Sequence, residues 1–186
     1  DARSITAPVS LIVSAFVPVS DAGVTLTPQL LADSEHELVL IDLARGAGRL
    51  GGSALAQVYG ELGDQAPDVD AGDLSALFSL IQSARRETGV VAYHDRSDGG
   101  LAVTVLEMAF AGRCGVDIDL GGIPGSPLQK LFAEEVGVVM QLPTSAIAAI
   151  ESRAEALGIG DCLHRLGRAT AGDRVIIRNG DELLLD

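Results

Sequence analysis

Residues 94–100 bring together the side chains of this sequence that could hold a phosphate group and a metal ion. The stretch combines Asp95 and Asp98 with the hydroxyl of Ser97 and a pair of glycines. Apolar residues before it are typical of a buried strand and those after it of a helix, which predicts a strand-to-helix turn. The first turn of a helix attracts anions through unpaired N–H groups and the positive end of its dipole. The two carboxylates would repel a phosphate unless a cation lay between the carboxylates and the phosphate. Mg²⁺ prefers oxygen ligands and meets that requirement.

Each residue of this turn also has a purely structural interpretation. Ser97 can hydrogen-bond a phosphate oxygen or cap the following helix. Gly99 and Gly100 let a ligand approach the backbone closely, but paired glycines are also ordinary turn residues. His94 is a candidate for proton transfer. A histidine at a strand end, however, is more often a hydrogen-bonded structural residue. The spacing alone therefore leaves a binding site and an ordinary capped turn equally open.

The composition of the chain limits the class of protein. Its 186 residues, 47% apolar, are enough for one domain with a sizeable core, and the absence of Trp makes that core aliphatic. The formal charge of −13 argues against a nucleic-acid partner, which basic residues would have to bind. No apolar run reaches the roughly 20 residues that cross a membrane, and no secretory signal is apparent, so a soluble cytoplasmic protein is expected. Cys114 and Cys162 lack zinc-site spacing and fit two free thiols at least as well as one disulfide.

The first half of the chain is predicted to contain two strands and a glycine-rich loop. Residues 10–17 and 37–43 have the apolar pattern of strands. The loop at residues 46–52 has the spacing of a dinucleotide-binding fingerprint, but no strand ending in an acid follows about 20 residues later, so we reject that interpretation. Ser53 is predicted to cap a short helix that runs to about residue 62. A contact between Ser53 and a ligand stays open.

The second half is predicted to alternate strands with helices. Helices are expected over 74–88, with Asp73 as cap, and over 101–109, 128–132 and 145–157; strands are expected over 89–93, 115–120, 133–142 and 162–169, before a hairpin at Asn179-Gly180. This order is a split βαβ pattern of the ferredoxin-like kind. We therefore predict an α+β fold of mixed layers with helices on both faces of the sheet. Residues 9–186 form this domain, and residues 1–8 are a lead-in segment from a preceding domain.

Three glutamates outside the turn are further candidates. Glu134 and Glu135 are predicted to open a strand, where they either face a substrate or form a solvated acidic edge. Glu107 lies on the helix after the turn and is predicted to be a surface residue or a support for the site.

The turn and its flanking segments resemble the C-terminal domain of the aminoimidazole ribonucleotide synthetase superfamily. The matching segments are residues 9–16, 26–30, 50–59, 94–101 and 107–112. Within the superfamily they are most similar to the phosphoribosylformylglycinamidine synthases of the large, single-chain bacterial type, and to the second of the two C-terminal-type domains in those chains. The similarity covers essentially the whole sequence.

The resemblance implies a domain of an ATP-dependent amidoligase with ATP and Mg²⁺ as cofactors. Enzymes of this family use ATP and glutamine-derived ammonia to convert formylglycinamide ribonucleotide to its amidine in de novo purine synthesis. The implied site residues are Asp95 for the metal; Ser97, Gly99 and Gly100 for the nucleotide; and Asp98, Glu134 and Ser53 as candidate substrate contacts or supports. The implied partners are an N-terminal-type synthase domain, which supplies further metal ligands and most ATP contacts, and a glutaminase domain. The isolated fragment is expected to be inactive.

Two alternatives stay open beside this function. The first is a structural nucleotide-binding and packing domain without a direct catalytic role. The second is another superfamily member, such as a selenophosphate synthetase, a thiamine monophosphate kinase or a hydrogenase-maturation factor, against which residues 26–29 and 50–53 argue.

Overall fold

The fold is built on one seven-stranded sheet, and the computed structural model describes residues 12–19 and 21–186. The strands in this part of the chain are β1 His36–Asp42, β2 Ala92–Asp95, β3 Gly115–Asp119, β4 Gly137–Pro143, β5 Leu163–Thr170, β6 Val175–Asn179 and β7 Glu182–Leu185. The helices are α1 Ala54–Val58, α2 Ala71–Glu87, α3 Gly100–Gly112, α4 Pro127–Phe132 and α5 Ile147–Ala156. None of these helices combines the length and the apolar character that crossing a lipid bilayer requires.

The strand order of the sheet is β2-β4-β1-β5-β3-β6-β7. Neighbouring strands are antiparallel except for β3 and β6, which are parallel. Strand β1 lies at the centre, with Leu38 and Leu40 in the core on one face and Val39 and Ile41 in the core on the other. Burial on both faces explains why residues 38–41 form an unbroken apolar run.

Helices cover both faces of the sheet. On one face α3 contributes Leu101 and Met108 to the core, and on the other α2 contributes Leu80 and α5 contributes Ile150. Each of these side chains is almost completely removed from water, which stabilises the fold by about 1.5–3 kcal/mol per residue. The predicted α+β class with helices on both faces is confirmed.

The two βαβ units of the prediction are β2-α3-β3 and β4-α5-β5. Both cross the sheet in the same direction, but β2 and β4 are antiparallel. Right-handed crossovers then place their helices on opposite faces, and the packing of α3 and α5 shows this arrangement. The sheet therefore differs from a simple ferredoxin-like one, in which the two crossovers run in opposite directions along the sheet and the two helices share a face.

The strand predicted at residues 10–17 does not form in its described part. Residues 12–17 have no regular secondary structure, and their side chains are exposed. Residues 10 and 11, together with the lead-in segment at 1–8, lie outside the described residues. The apolar pattern of this segment is therefore not enough to make it a strand. A strand needs a neighbour to pair with, and within the described residues none pairs with this segment.

Helix α2 begins earlier than predicted. Asp70 is its N-cap and accepts hydrogen bonds from the N–H groups of Gly72 and Asp73, at 2.7 and 3.2 Å. Asp73, the predicted cap, instead lies in the first turn and pairs with Arg45. The cap that forms therefore lies three residues before the predicted one.

Candidate functional site

The predicted turn joins β2 to α3 next to the edge of the sheet. His94 and Asp95 are the last two residues of β2, so they lie on the strand and not in the turn. Asp95 is opposite Val138 of β4, and its side chain is 70% exposed. Ser97 and Asp98 are exposed in the turn itself. The carboxylate of Asp95 and the hydroxyl of Ser97 are therefore both accessible near the start of α3.

Gly99 and Gly100 give the turn its shape. Gly99 is the N-cap of α3 with φ +84°, and Gly100 has φ +67°, a left-handed conformation that side chains disfavour. A Cβ on Gly99 would lie 2.3 Å from Cγ2 of Val103, and one on Gly100 would lie 2.7 Å from the carbonyl oxygen of Leu131. The glycines thus let α3 start directly after the turn and let α4 pack against it.

The backbone N–H groups of both glycines are already hydrogen-bonded within the protein. Gly99 donates to Oε1 of Glu134 at 2.8 Å, and Gly100 donates to the carbonyl oxygen of Ser97 at 2.9 Å. No side chain caps α3, so Ser97 does not act as its cap. A phosphate would reach the N–H of Gly99 only by displacing Glu134. Nucleotide binding by Ser97, Gly99 and Gly100 stays a prediction.

Arg96 is the residue of this stretch that sequence reasoning missed. Its side chain is 3% exposed; Nη2 donates to Oδ1 of Asp42 at 2.5 Å and Nε to the carbonyl oxygen of Glu135 at 2.7 Å. Gly137 leaves room for it, since a Cβ there would lie 3.2 Å from Nη2. The ion pair fastens the turn to β1, and the hydrogen bond to Glu135 fastens it to the segment before β4. An acid at the end of an otherwise apolar strand was the signal that could have revealed it.

His94 has partners for both ring nitrogens. Nδ1 lies 2.8 Å from the carbonyl oxygen of Asp95, and Nε2 lies 2.8 Å from Oε2 of Glu107. The carbonyl oxygen can only accept, so Nδ1 donates. These contacts tie β2 to α3 and favour the structural role for His94, with Glu107 as its support.

Ser53 is buried and serves α1. Its hydroxyl accepts a hydrogen bond from the N–H of Ala56 at 3.2 Å and donates to the carbonyl oxygen of Leu50 at 2.7 Å. The predicted cap is confirmed, whereas complete burial of the side chain argues against a contact with a substrate. The helix ends at Val58, before the predicted boundary near residue 62.

Glu134 and Glu135 lie in the connection between α4 and β4, not on a strand as predicted. Glu134 is half-buried and Glu135 is 1% exposed. Their side chains accept hydrogen bonds from the turn and from the glycine-rich loop. The interpretation of the pair as a solvated acidic edge is therefore wrong.

The residues near Asp95 fit part of a magnesium site. Within residues 12–19 and 21–186 no group of three or more His, Cys, Asp or Glu side chains is arranged to hold a metal ion. Mg²⁺ commonly takes one or two protein carboxylates and completes its six ligands with phosphate oxygens and water. The exposed Asp95 fits such a ligand, with phosphate oxygens, water or further protein groups completing the coordination.

An apolar groove of about 370 Å³ opens beside Asp95. One wall is the apolar stripe of α2, formed by Leu74, Leu77, Phe78 and Ile81. Tyr93 of β2 contributes to the other wall, and burial raises the pKa of its hydroxyl. The charged residues that line the groove are Asp95, Arg96 and Glu134.

Residues 34–179 match the family described as AIR synthase related protein, C-terminal domain. The chain therefore belongs to this family. Its fold is similar to that of T. maritima PurL complexed with ATP, with 13% identity and a TM-score of 0.66 over 88% of this chain and 26% of that one. PurLQS from Thermotoga maritima is similar at 14% identity and a TM-score of 0.69, over 88% and 27% of the two chains.

A further similar structure is E. coli HypE, a hydrogenase maturation protein, at 20% identity and a TM-score of 0.56. The match covers 82% of this chain and 48% of HypE. The chain thus spans about a quarter of the PurL chains and about half of HypE. At these identities the likeness establishes the shared fold.

Proposed function

We propose that the chain is a domain of a phosphoribosylformylglycinamidine synthase of the large, single-chain type, and the second of its C-terminal-type domains. The complete enzyme is an ATP-dependent amidoligase that uses glutamine as ammonia donor and converts formylglycinamide ribonucleotide to formylglycinamidine ribonucleotide. Residues 9–186 form the domain, and residues 1–8 lead in from a preceding one. Membership of the AIR synthase related family and the fold shared with PurL support this proposal.

The domain contributes a Mg-nucleotide site. Asp95 supplies one oxygen ligand to Mg²⁺, and the hydroxyl of Ser97 donates a hydrogen bond to a phosphate oxygen. Bound Mg²⁺ neutralises phosphate charge next to the acidic residues of the turn. Arg96 holds the turn from beneath through its ion pair with Asp42. A neighbouring N-terminal-type domain supplies the remaining metal ligands, and the glutaminase domain supplies ammonia.

The observation that carries the proposal is the position of Asp95. Its carboxylate is 70% exposed at the end of β2, and residues 96–99 separate it from the start of a 13-residue helix. The dipole of that helix favours an anion near its start, where the Glu134 carboxylate already lies, so a phosphate beside Asp95 meets two carboxylates that repel it. A cation between the carboxylates and the phosphate offsets this repulsion, which is the arrangement of a metal-nucleotide complex.

A second candidate is another member of the superfamily, with a hydrogenase-maturation factor as the example that the fold similarity to HypE supports. Selenophosphate synthetases and thiamine monophosphate kinases belong to the same alternative. A third candidate keeps the nucleotide site but makes it structural, so that the domain serves packing. The exposed position of Asp95 is compatible with a structural nucleotide as well as a reacting one.

The test uses the complete enzyme with Asp95→Ala, and Asp181→Ala as matched control. Asp181 is an exposed acid in the turn between β6 and β7, and it belongs to the opposite edge of the sheet. Amidine formation is measured with ammonia supplied directly, and the melting temperature is measured with and without Mg-ADP. We expect Asp95→Ala to lose Mg-ADP stabilisation and Asp181→Ala to retain it.

The two readouts separate the candidates. Loss of turnover with unchanged melting behaviour would place Asp95 in the reacting site. Retained turnover with lost stabilisation by Mg-ADP would assign a structural nucleotide to this domain. If neither quantity changed, the metal-site assignment would be wrong. An enzyme without any amidine formation before mutation would refute the synthase function itself.

A further inference from the structure

Two adjacent acids, Glu134 and Glu135, join the turn before α3 to the glycine-rich loop before α1. The loop and the turn are about 45 residues apart in sequence. Oε1 of Glu134 accepts hydrogen bonds from the N–H of Gly99 at 2.8 Å and of Ala54 at 2.7 Å. One carboxylate oxygen therefore fixes the N-cap of α3 and the first residue of α1 at the same time.

Glu135 makes a second connection in the same place. Its carboxylate accepts hydrogen bonds from the backbone N–H of Arg49 at 2.8 Å and from Nε and Nη2 of that side chain at 2.8 and 2.7 Å. Its carbonyl oxygen accepts from Arg96 at 2.7 Å. Two consecutive residues thus bond to the loop, to the start of α1 and to two residues of the turn, and hold these segments together.

The carboxylate of Glu134 also takes the place that an external anion would occupy. A charged acceptor makes stronger hydrogen bonds to backbone N–H than a neutral one does, and a carboxylate at the start of α3 complements its dipole. A phosphate that displaced it would leave the N–H of Ala54 without its acceptor. The contacts therefore favour a permanent internal anion, with the phosphate reaching Asp95 and Ser97 instead.

We infer that Glu134 is a positioning residue for the nucleotide site, which holds Asp95 and Ser97 in place by fixing Gly99 against the start of α1. The inference rests on the proposed function, because it assumes that Asp95 and Ser97 contact a Mg-nucleotide. The glycine-rich loop takes part as the platform to which the turn is fastened.

The experiment compares Glu134→Ala and Glu134→Gln in the complete enzyme. Gln keeps a side-chain oxygen that can accept from both N–H groups, whereas Ala removes it. The matched control is Glu37→Ala, since Glu37 is a buried glutamate that accepts hydrogen bonds from Arg165 on β5. It is paired with Leu142, at the end of β4 away from the turn.

Two quantities are measured for each variant. The dissociation constant of Mg-ADP is determined by calorimetry, and hydrogen-deuterium exchange is followed in peptides covering residues 50–57 and 96–103. We expect Glu134→Ala to weaken Mg-ADP binding by about tenfold or more and to speed exchange in both peptides. Glu134→Gln keeps the acceptor oxygen but not the charge, so its losses should be smaller than those of Glu134→Ala. Glu37→Ala should lower the melting temperature and leave both peptides and the affinity unchanged.

Three results would overturn the inference. Tighter binding of Mg-ADP by Glu134→Ala would make the carboxylate a competitor of phosphate. Equal loss in the Gln and Ala variants would show that its charge matters and its geometry does not. Faster exchange without a change in affinity would leave Glu134 a purely structural residue. If Asp95→Ala kept both its turnover and its Mg-ADP binding, the proposed site would lie elsewhere, and this failure is distinct because it appears with Glu134 intact.

Discussion

Replacement of Arg96 by Met should destabilise the chain severely. The side chains of Arg96 and Asp42 are 3% and 6% exposed, so neither charge is solvated in the folded state. Removing the guanidinium leaves the carboxylate of Asp42 buried without its partner, and breaking a buried pair in this way costs about 3–5 kcal/mol. The free energy of unfolding of a domain is about 5–15 kcal/mol, so the variant should lose a large part of it.

The double variant Asp42→Leu with Arg96→Met separates the energetic cost of a buried, unpaired carboxylate from that of lost side-chain packing. Both groups are then apolar, and replacement of a buried ion pair by apolar residues is often neutral or stabilising. The double variant should therefore be more stable than Arg96→Met alone. The carbonyl oxygen of Glu135 loses its donor in both variants, so this contribution cancels in the comparison.

Urea unfolding of the 186-residue chain at pH 7, followed by circular dichroism, measures these free energies. Arg174→Met is the matched control, because Arg174 pairs with Asp186 but has a side chain that is 65% exposed. An exposed pair contributes about 0–1 kcal/mol. Two results would refute the role of the unpaired Asp42 carboxylate. Arg96→Met could lower the free energy of unfolding no more than Arg174→Met, or the double variant could be as unstable as Arg96→Met.

Three further outcomes test the packing. Burial raises the pKa of the Cys162 thiol to about 11 from 9.0. The unfolded chain therefore loses this proton at lower pH than the folded chain, and the free energy of unfolding should fall as pH rises from 9 to 11. Cys162→Ala should show a smaller fall over the same pH range. Gly100→Ala should lower the free energy of unfolding by about 1–3 kcal/mol through its positive φ, and by more through the clash of the added Cβ with the carbonyl oxygen of Leu131. A Cβ added at Gly122 has no atom within 4 Å, so Gly122→Ala should melt nearly as the wild type. Ser53→Ala should cost about 1 kcal/mol through the lost cap of α1, and an unchanged melting temperature would contradict that role.

Much of the fold was readable from local patterns. The apolar run at residues 38–41 predicted β1, and the Asn179-Gly180 pair predicted the hairpin of β6 and β7, because a tight turn and its two strands are encoded within a dozen residues. The β2-α3 junction followed in the same way from the change in apolar period. The order of the strands did not, since the central place of β1 depends on contacts between distant parts of the chain.

The candidate site divides along the same line. An acid, a hydroxyl and two glycines between a strand and a helix were predictable, because their identities and spacing are local. The exposure of Asp95, the burial of Arg96 against Asp42 and the contact of Glu134 with the N–H of Gly99 arise only on folding. Those outcomes depend on which residues lie opposite one another after folding, and burial and charge pairing are properties of that arrangement, not of any single segment.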